Sequence, residues 1–183
     1  SDSAQYHLGL MYKNGKGVAQ DFKEAEKMFR LAAEQGHMRA QFNLGMIHVD
    51  NREGVPQDAK EAVKWFRLAA ENGYGLAQTM LGASYDSGNG VPQDYTEALK
   101  WYRLAAEQGE SAAQFNIGLM YARSEGVPKD YKEAYIWWSL AAVGGHKKAK
   151  EFLESMKAEL SPEQLAEAQE QVKVRLKQIK ARK

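Results

Sequence analysis

The residues of this chain that could do chemistry are four histidines, an aspartate–glycine loop, and an Asp–x–x–Glu pair that returns along the sequence. His7, His37, His48 and His146 could serve as metal ligands or general bases. They do not form His-Glu-x-x-His, and no carboxylate stands at a ligand spacing from any of them. Asp86-Ser87-Gly88-Asn89-Gly90 has the start of a calcium loop but lacks the later ligands and the terminal glutamate. Gly15-Lys16-Gly17 and Gly88-Asn89-Gly90 lack the third glycine and the preceding strand of a dinucleotide loop. Gly82-Ala83-Ser84-Tyr85-Asp86 misses the last glycine of a nucleophile elbow. The chain has no cysteine, so thiolate sites and disulfides are excluded. No enzyme is predicted, and no catalytic, cofactor-binding or metal-ligating residue is assigned.

The remaining acid pairs are Asp21…Glu24, Asp58…Glu61, Asp94…Glu97 and Asp130…Glu133. Four identical carboxylate pairs could suggest a repeated acid–base site. Their spacing is also that of a capping box, in which the aspartate binds a free N–H and the glutamate reaches back. Both charges then sit at the favourable end of a helix dipole. Each pair opens a stretch that ends at Gly36, Gly73, Gly109 or Gly144-Gly145, as a C-terminal glycine should.

The elements that carry these pairs repeat. Ala4, Ala40, Ala77, Ala113 and Ala149 open successive units at spacings of 36, 37, 36 and 36 residues. The extra residue lies in the loop Asp50-Asn51-Arg52-Glu53. A fixed spacing of this size marks stacked supersecondary units. In the fourth unit Ala113, Ile117, Met120 and Tyr121 recur with helical spacing, predicting a first helix. The second helix carries Phe29; Trp65-Phe66; Trp101-Tyr102; or Trp137-Trp138, each followed by an alanine pair. Gly9, Gly45, Gly82 and Gly118 fall within the first helices, where each costs about 1 kcal/mol relative to alanine. Close approach by the second helix is the expected reason.

The predicted fold is an all-α, right-handed α/α superhelix of helix-turn-helix repeats with a C-terminal capping helix. Residues 1–160 hold four repeats (4–39, 40–76, 77–112, 113–148) and a fifth first-type helix (149–160). The repeats predict one elongated unit, each burying its apolar face against its neighbours. Ser161-Pro162-Glu163-Gln164 restarts the chain with an N-cap and a first-turn proline. Leu165, Val172, Leu176 and Ile179 then make an apolar stripe on the capping helix, 161–183. Its end is basic, with Lys173, Arg175, Lys177, Lys180, Arg182 and Lys183 against Glu163, Glu167 and Glu170.

The repeated residues resemble the Sel-1-like repeat family, relatives of tetratricopeptide repeats. The pattern Ala-x-x-x-Leu-Gly-x-x-Tyr-x-x-Gly-x-Gly-Val-x-x-Asp-x-x-x-Ala-x-x-Trp-(Tyr/Phe)-x-x-Ala-Ala-x-x-Gly is nearly complete from Ala77 to Gly109. His48 departs from its usual tyrosine, and Met28 and Ser124 from the usual Trp and Gly; these changes are expected to affect loop shape alone. The resemblance implies an adaptor of bacterial or eukaryotic type that holds other proteins. It tips localisation toward the periplasm or secretion over the cytoplasm. Some cysteine-rich relatives are linked to β-lactams, which supplies an enzymatic alternative. The cysteines are absent here and no serine is followed three residues later by lysine. A structural spacer within a longer chain is the other alternative.

The net charge of +1 gives no reason to expect a nucleic-acid partner, and no apolar run approaches the ~20 residues of a membrane span. The chain opens at Ser1-Asp2-Ser3 directly on a repeat, without methionine or leader. That predicts a processed form or a piece from which any targeting signal is gone. Partner choice is expected in the face left over once the scaffold is counted. Positions two, six and nine after each opening alanine lie opposite its buried face. They place Tyr6, Leu10, Phe42, Met46, Thr79, Phe115 and Leu119 on an inner stripe, with Asn43 and Asn116 one step round the helix as hydrogen-bonders. Lys13, at position nine, belongs to the same stripe. The expected partner is a protein or peptide held there, with no cofactor.

Overall fold

The computed structural model describes residues 1–182. Lys183, last of the basic tail, lies outside the described residues. Among the described residues the chain forms ten α-helices. The first-type helices are α1 (Asp2–Asn14), α3 (Met38–Val49), α5 (Gly75–Ser87), α7 (Ser111–Arg123) and α9 (Lys147–Lys157). They alternate with the second-type helices α2 (Phe22–Ala33), α4 (Ala59–Glu71), α6 (Tyr95–Glu107) and α8 (Tyr131–Val143), and α10 (Pro162–Ala181) ends the chain. The fold is an all-α repeat solenoid. Its packing divides into two compact units, Ser1–Gln93 and Asp94 onward, where the repeats alone suggested one.

Each second-type helix starts where its aspartate satisfies first-turn N–H groups. Asp21 accepts from Lys23 and Glu24, Asp58 from Glu61, Asp94 from Thr96 and Glu97, and Asp130 from Glu133, all at 2.9–3.0 Å. The expected return bond from the glutamate forms in none of the four: Glu24 and Glu97 turn to Lys27 and Lys100 one turn on. Glu61 and Glu133 turn outward to arginines instead, because a guanidinium is a stronger donor than a neutral backbone amide. The reciprocal box is complete at α10, between Ser161 and Gln164.

The second-type helices end as the glycines predicted. Gly36, Gly73, Gly109 and Gly145 take φ of 86–90°, which an L side chain rarely adopts. The next residue then donates its N–H five residues back, to Ala32, Ala69, Ala105 or Ala141. That closes the last turn over the carbonyls of the alanine pairs.

Within both units the core is an aromatic ring laid on a glycine. A Cβ added to Gly9 would lie 2.7 Å from Phe29, one on Gly45 2.5 Å from Phe66, and one on Gly118 2.4 Å from Trp138. The helix cost of these glycines therefore has the expected cause, close approach of the second helix. Phe29 and the second residue of each of the three predicted anchor pairs, Phe66, Tyr102 and Trp138, are essentially inaccessible.

In the second unit the apolar stripe of α10 packs on α8. Leu165, Val172, Leu176 and Ile179 surround Ala168 and meet Tyr135, Ile136 and Leu140. Two ion pairs fix this contact: Lys132 with Glu167 at 3.0 Å, and Arg175 with both oxygens of Glu133 at 2.8 and 3.0 Å. Arg175 also lies over the Trp137 ring. Arg182 pairs with Glu107, and Lys173 with Glu170, so several basic side chains of the tail are held by carboxylates.

Candidate functional site

On α3, positions two, six and nine are Phe42, Met46 and Val49, and these are the half-open residues along the helix body, between fully buried Ala40, Leu44 and Ile47. Tyr6 and Leu10 on α1 are likewise half-buried, packed along the edge of the first unit's core. In the second unit Asn116 and Leu119 on α7 are half-buried, with Leu119 leaning on the core around Trp138.

Three of the expected face residues are not open. Asn43, Thr79 and Phe115 are each only 8% exposed. Asn43 donates to the Arg39 carbonyl and accepts from Lys13 Nζ at 2.8 Å. Thr79 spends its hydroxyl on the Gly75 carbonyl one turn back. Phe115 is enclosed by His146, stacked at 4.2 Å, and by Trp138 and Phe152. Its backbone carbonyl accepts the Trp138 indole N–H.

The reason is a contact rule that helical angles alone do not show. The aromatic at position two is covered by the N-cap residue of the next first-type helix. Tyr6 stacks on His37 at 4.5 Å, Phe42 meets Tyr74 edge-on at 5.4 Å, and Phe115 stacks on His146. The recurring ring is thus partly scaffold. Phe115 is sealed further because Phe152 of the fifth first-type helix closes its remaining side. Burial, then the nearby Lys148 charge, push the His146 imidazole below its ordinary pKa.

The departure at His48 does more than alter a loop. At two other repeat junctions an arginine of the second-type helix donates to the tyrosine at this position, Arg67 to Tyr85 at 2.7 Å and Arg103 to Tyr121 at 3.1 Å. The residue at the tyrosine position facing Arg30's repeat is His48, and Arg30 pairs with carboxylates instead. It bonds Glu26 at 2.7 Å and Glu61 at 3.1 Å, while Glu61 also accepts the Trp65 indole N–H. Buried His48 faces Glu26 at 3.4 Å. Burial pushes the Glu61 carboxyl up, but the Trp65 and Arg30 hydrogen bonds and the nearby cations outweigh it and hold it low. The result is a polar junction specific to the first unit.

The sequence reading missed a set of glutamines. Gln41, Gln78 and Gln114 follow their opening alanines directly and are buried. Gln41 donates to the Ala33 carbonyl at 3.2 Å and Gln78 to that of Ala70 at 3.1 Å in the first unit; Gln114 does so to Ala106 at 3.1 Å in the second. Each amide thus bolts a first helix to the end of the preceding second helix. Their spacing was the available signal, since Gln5, Gln41, Gln78 and Gln114 recur with the alanines.

Beside the face, in the first unit, lies an open cleft of about 200 Å³ lined by Lys13, Gln20, Phe22, Met46, Ile47 and Arg52. Burial, then the charge of Arg52, lower the Lys13 pKa. Among the described residues no group of three or more His, Asp or Glu is placed to hold a metal ion, and no helix is long and apolar enough to cross a membrane.

The profile of the Sel1 repeat matches residues 2–37, 39–74, 75–110 and 111–146. Among solved structures, the chain is similar to a Sel1 repeat protein from Oxalobacter formigenes, with 38% identity and a TM-score of 0.77 over 84% of this chain and 63% of that one. It is also similar to a protective antigen of uropathogenic Escherichia coli strains that displays the SLR fold, with 29% identity and a TM-score of 0.66 over 98% and 46%. An immunity protein from Pseudomonas aeruginosa, 20% identical with a TM-score of 0.54 over 81% and 54%, shares the fold alone. The chain spans about three fifths and about half the length of the first two. Among curated proteins none matches. The four matched repeats, together with the caps, glycines and alanine pairs that build them, show that the chain belongs to the Sel1 repeat family.

Proposed function

We propose that this protein is a non-enzymatic scaffold that holds a peptide or helix of another protein along its first-type helices. Sel1 repeat proteins are generally protein-interaction scaffolds, and their fold is typically not enzymatic. The observation that carries the reading is the half-open apolar arc of the first unit. Leu10, Phe42, Met46 and Val49 stay partly accessible although the caps, glycines and glutamines around them complete the scaffold. Apolar surface left accessible beside a finished core generally marks an interaction site. Leu119 and Asn116 are the matching candidates in the second unit.

The test compares two substitutions in one unit by capture of partners from the host. Phe42→Ala with Met46→Ala removes the arc, while Leu68→Ala trims an exposed leucine on α4. The arc variant should lose capture with its helicity retained, and the α4 variant should keep it. Met46→Ala alone guards against unfolding from the Phe42 change. Undiminished capture by folded arc variants would remove the basis of the proposal.

A further inference from the structure

We propose that the cleft between Lys13 and Arg52 binds the C-terminal carboxylate of a peptide whose last residue is apolar. This rests on reading the first-type helices as a peptide-binding face, and it names the chemistry of one end of the bound chain.

The cleft has two cations and an apolar wall. Lys13 rises from the last turn of α1, and Arg52 from the loop made longer by one residue in this repeat alone. That loop is pinned by paired backbone hydrogen bonds between Arg52 and Val55 at 3.0 and 3.1 Å, and the guanidinium lies over the Phe22 ring. Arg52 is therefore held at the cleft by backbone and ring. Asp50 engages it through one nitrogen, Nη2, at 2.6 Å. Lys13 Nζ donates to the neutral amide oxygen of Asn43. Two positive groups thus meet one carboxylate, and the cleft carries an excess positive charge. The two cations repel each other, which is the unfavourable field that a bound anion relieves.

Phe22, Met46 and Ile47 supply the apolar wall, and Gln20, whose amide donates to the Lys13 carbonyl, completes the lining. A volume near 200 Å³ takes one apolar side chain with its carboxylate and leaves no room for a folded element. A chain terminus carries both groups on a single carbon, which is what a mixed wall of this size needs. An internal Asp or Glu carries the charge at the tip of its side chain with no apolar group beside it. The arrangement also places the terminus next to Met46, so the preceding residues can run on along Phe42 and the arc.

The experiment passes two random-sequence peptide pools over the immobilised full chain. The pools are identical except that one ends in a free carboxylate and the other in an amide. The acid pool should be retained about tenfold more than the amide pool, the scale of one charge-assisted hydrogen bond, with apolar last residues enriched. Raising the salt should shrink the difference, since an exposed charge pair is screened. Lys13→Gln together with Arg52→Gln should abolish the preference while leaving the melting curve near that of the parent. The acid–amide comparison on the parent chain needs no variant, so a misfolded double substitution leaves the test standing. Equal retention of both pools overturns the carboxylate site and keeps the peptide-binding face. Retention of neither overturns both.

Discussion

Phe42 and Phe115 occupy the same place in their repeats, yet the first unit leaves its ring half-open and the second seals its ring. Both lie beside an anchor, Phe66 or Trp138, and both meet the residue that starts the next first-type helix. What differs is a third neighbour. Phe152 closes over Phe115, and it belongs to a helix outside the four matched repeats. A repeat position therefore has no fixed burial of its own; it takes the burial its neighbours give it. The polar junctions teach the same lesson. Arg103 meets Tyr121 in the second unit, whereas Arg30 in the first, lacking that tyrosine, gathers Glu26 and Glu61.

The widest gap between the two rings should appear on truncation. Phe115→Ala is expected to destabilise by about 3–5 kcal/mol, the range for emptying a sealed aromatic site. Phe42→Ala should cost clearly less in thermal or denaturant unfolding, because part of that ring already meets solvent. Equal losses would collapse the comparison.

Adding an atom probes the anchors from the other side. Gly118→Ala drives a Cβ into the Trp138 indole and Gly45→Ala into the Phe66 ring, with the Ala62 carbonyl also within 3.1 Å. Each should cost about 1–3 kcal/mol as overpacking, despite alanine's better helix propensity. A melting temperature that rises for either would show that the helices can part.

The junctions can be set against each other with Glu61→Gln and Glu133→Gln. Both side chains are more than three quarters buried and both accept from arginine. Losing the charge should destabilise each by about 1–2 kcal/mol, with the Glu61 loss shrinking in acid. The sign follows from its lowered pKa: the carboxylate contributes stability above its unfolded value, and that contribution fades as pH falls through the folded one. Chemical denaturation of parent and variant at several pH values reads this directly.

His146→Tyr offers a finer test of the second unit, since Tyr74 holds the equivalent place in the first. The folded His146 takes up a proton less readily than the unfolded chain does. Its contribution is complete above the ordinary value of 6.5 and is lost as pH falls below that value toward the folded pKa. The variant's stability relative to the parent should therefore rise on acidification, followed by melting curves.

The smallest effect is at Ser124, the one non-glycine residue at positive φ among the described residues, where the first and third repeats use Gly15 and Gly88. Ser124→Gly should stabilise by up to about 1 kcal/mol by relieving the left-handed conformation, less what is lost with its hydroxyl bond to Val127. A lower melting temperature would mean that the hydroxyl bond outweighs the strain.

By itself the sequence determined the repeat, its two helices and their ends. Those features are local: an aspartate three residues before a glutamate, a glycine at a helix terminus and a period of 36 residues all act within a few turns of chain. It also marked the glutamines by their spacing, although a polar residue next to an alanine does not announce burial. Helical angles identified the arc of Phe42 and Met46 but not the fate of Asn43, Thr79 and Phe115. Asn43 and Phe115 were decided by contacts across repeats, from Lys13 to Asn43 and from Phe152 to Phe115, whereas Thr79 spends its hydroxyl within its own helix. Arg30's choice of carboxylates over His48 is of the same kind, for it depends on which side chains of two repeats come within hydrogen-bond reach. Periodicity fixes a direction on one helix, whereas burial and charge at a site depend on every element packed around it.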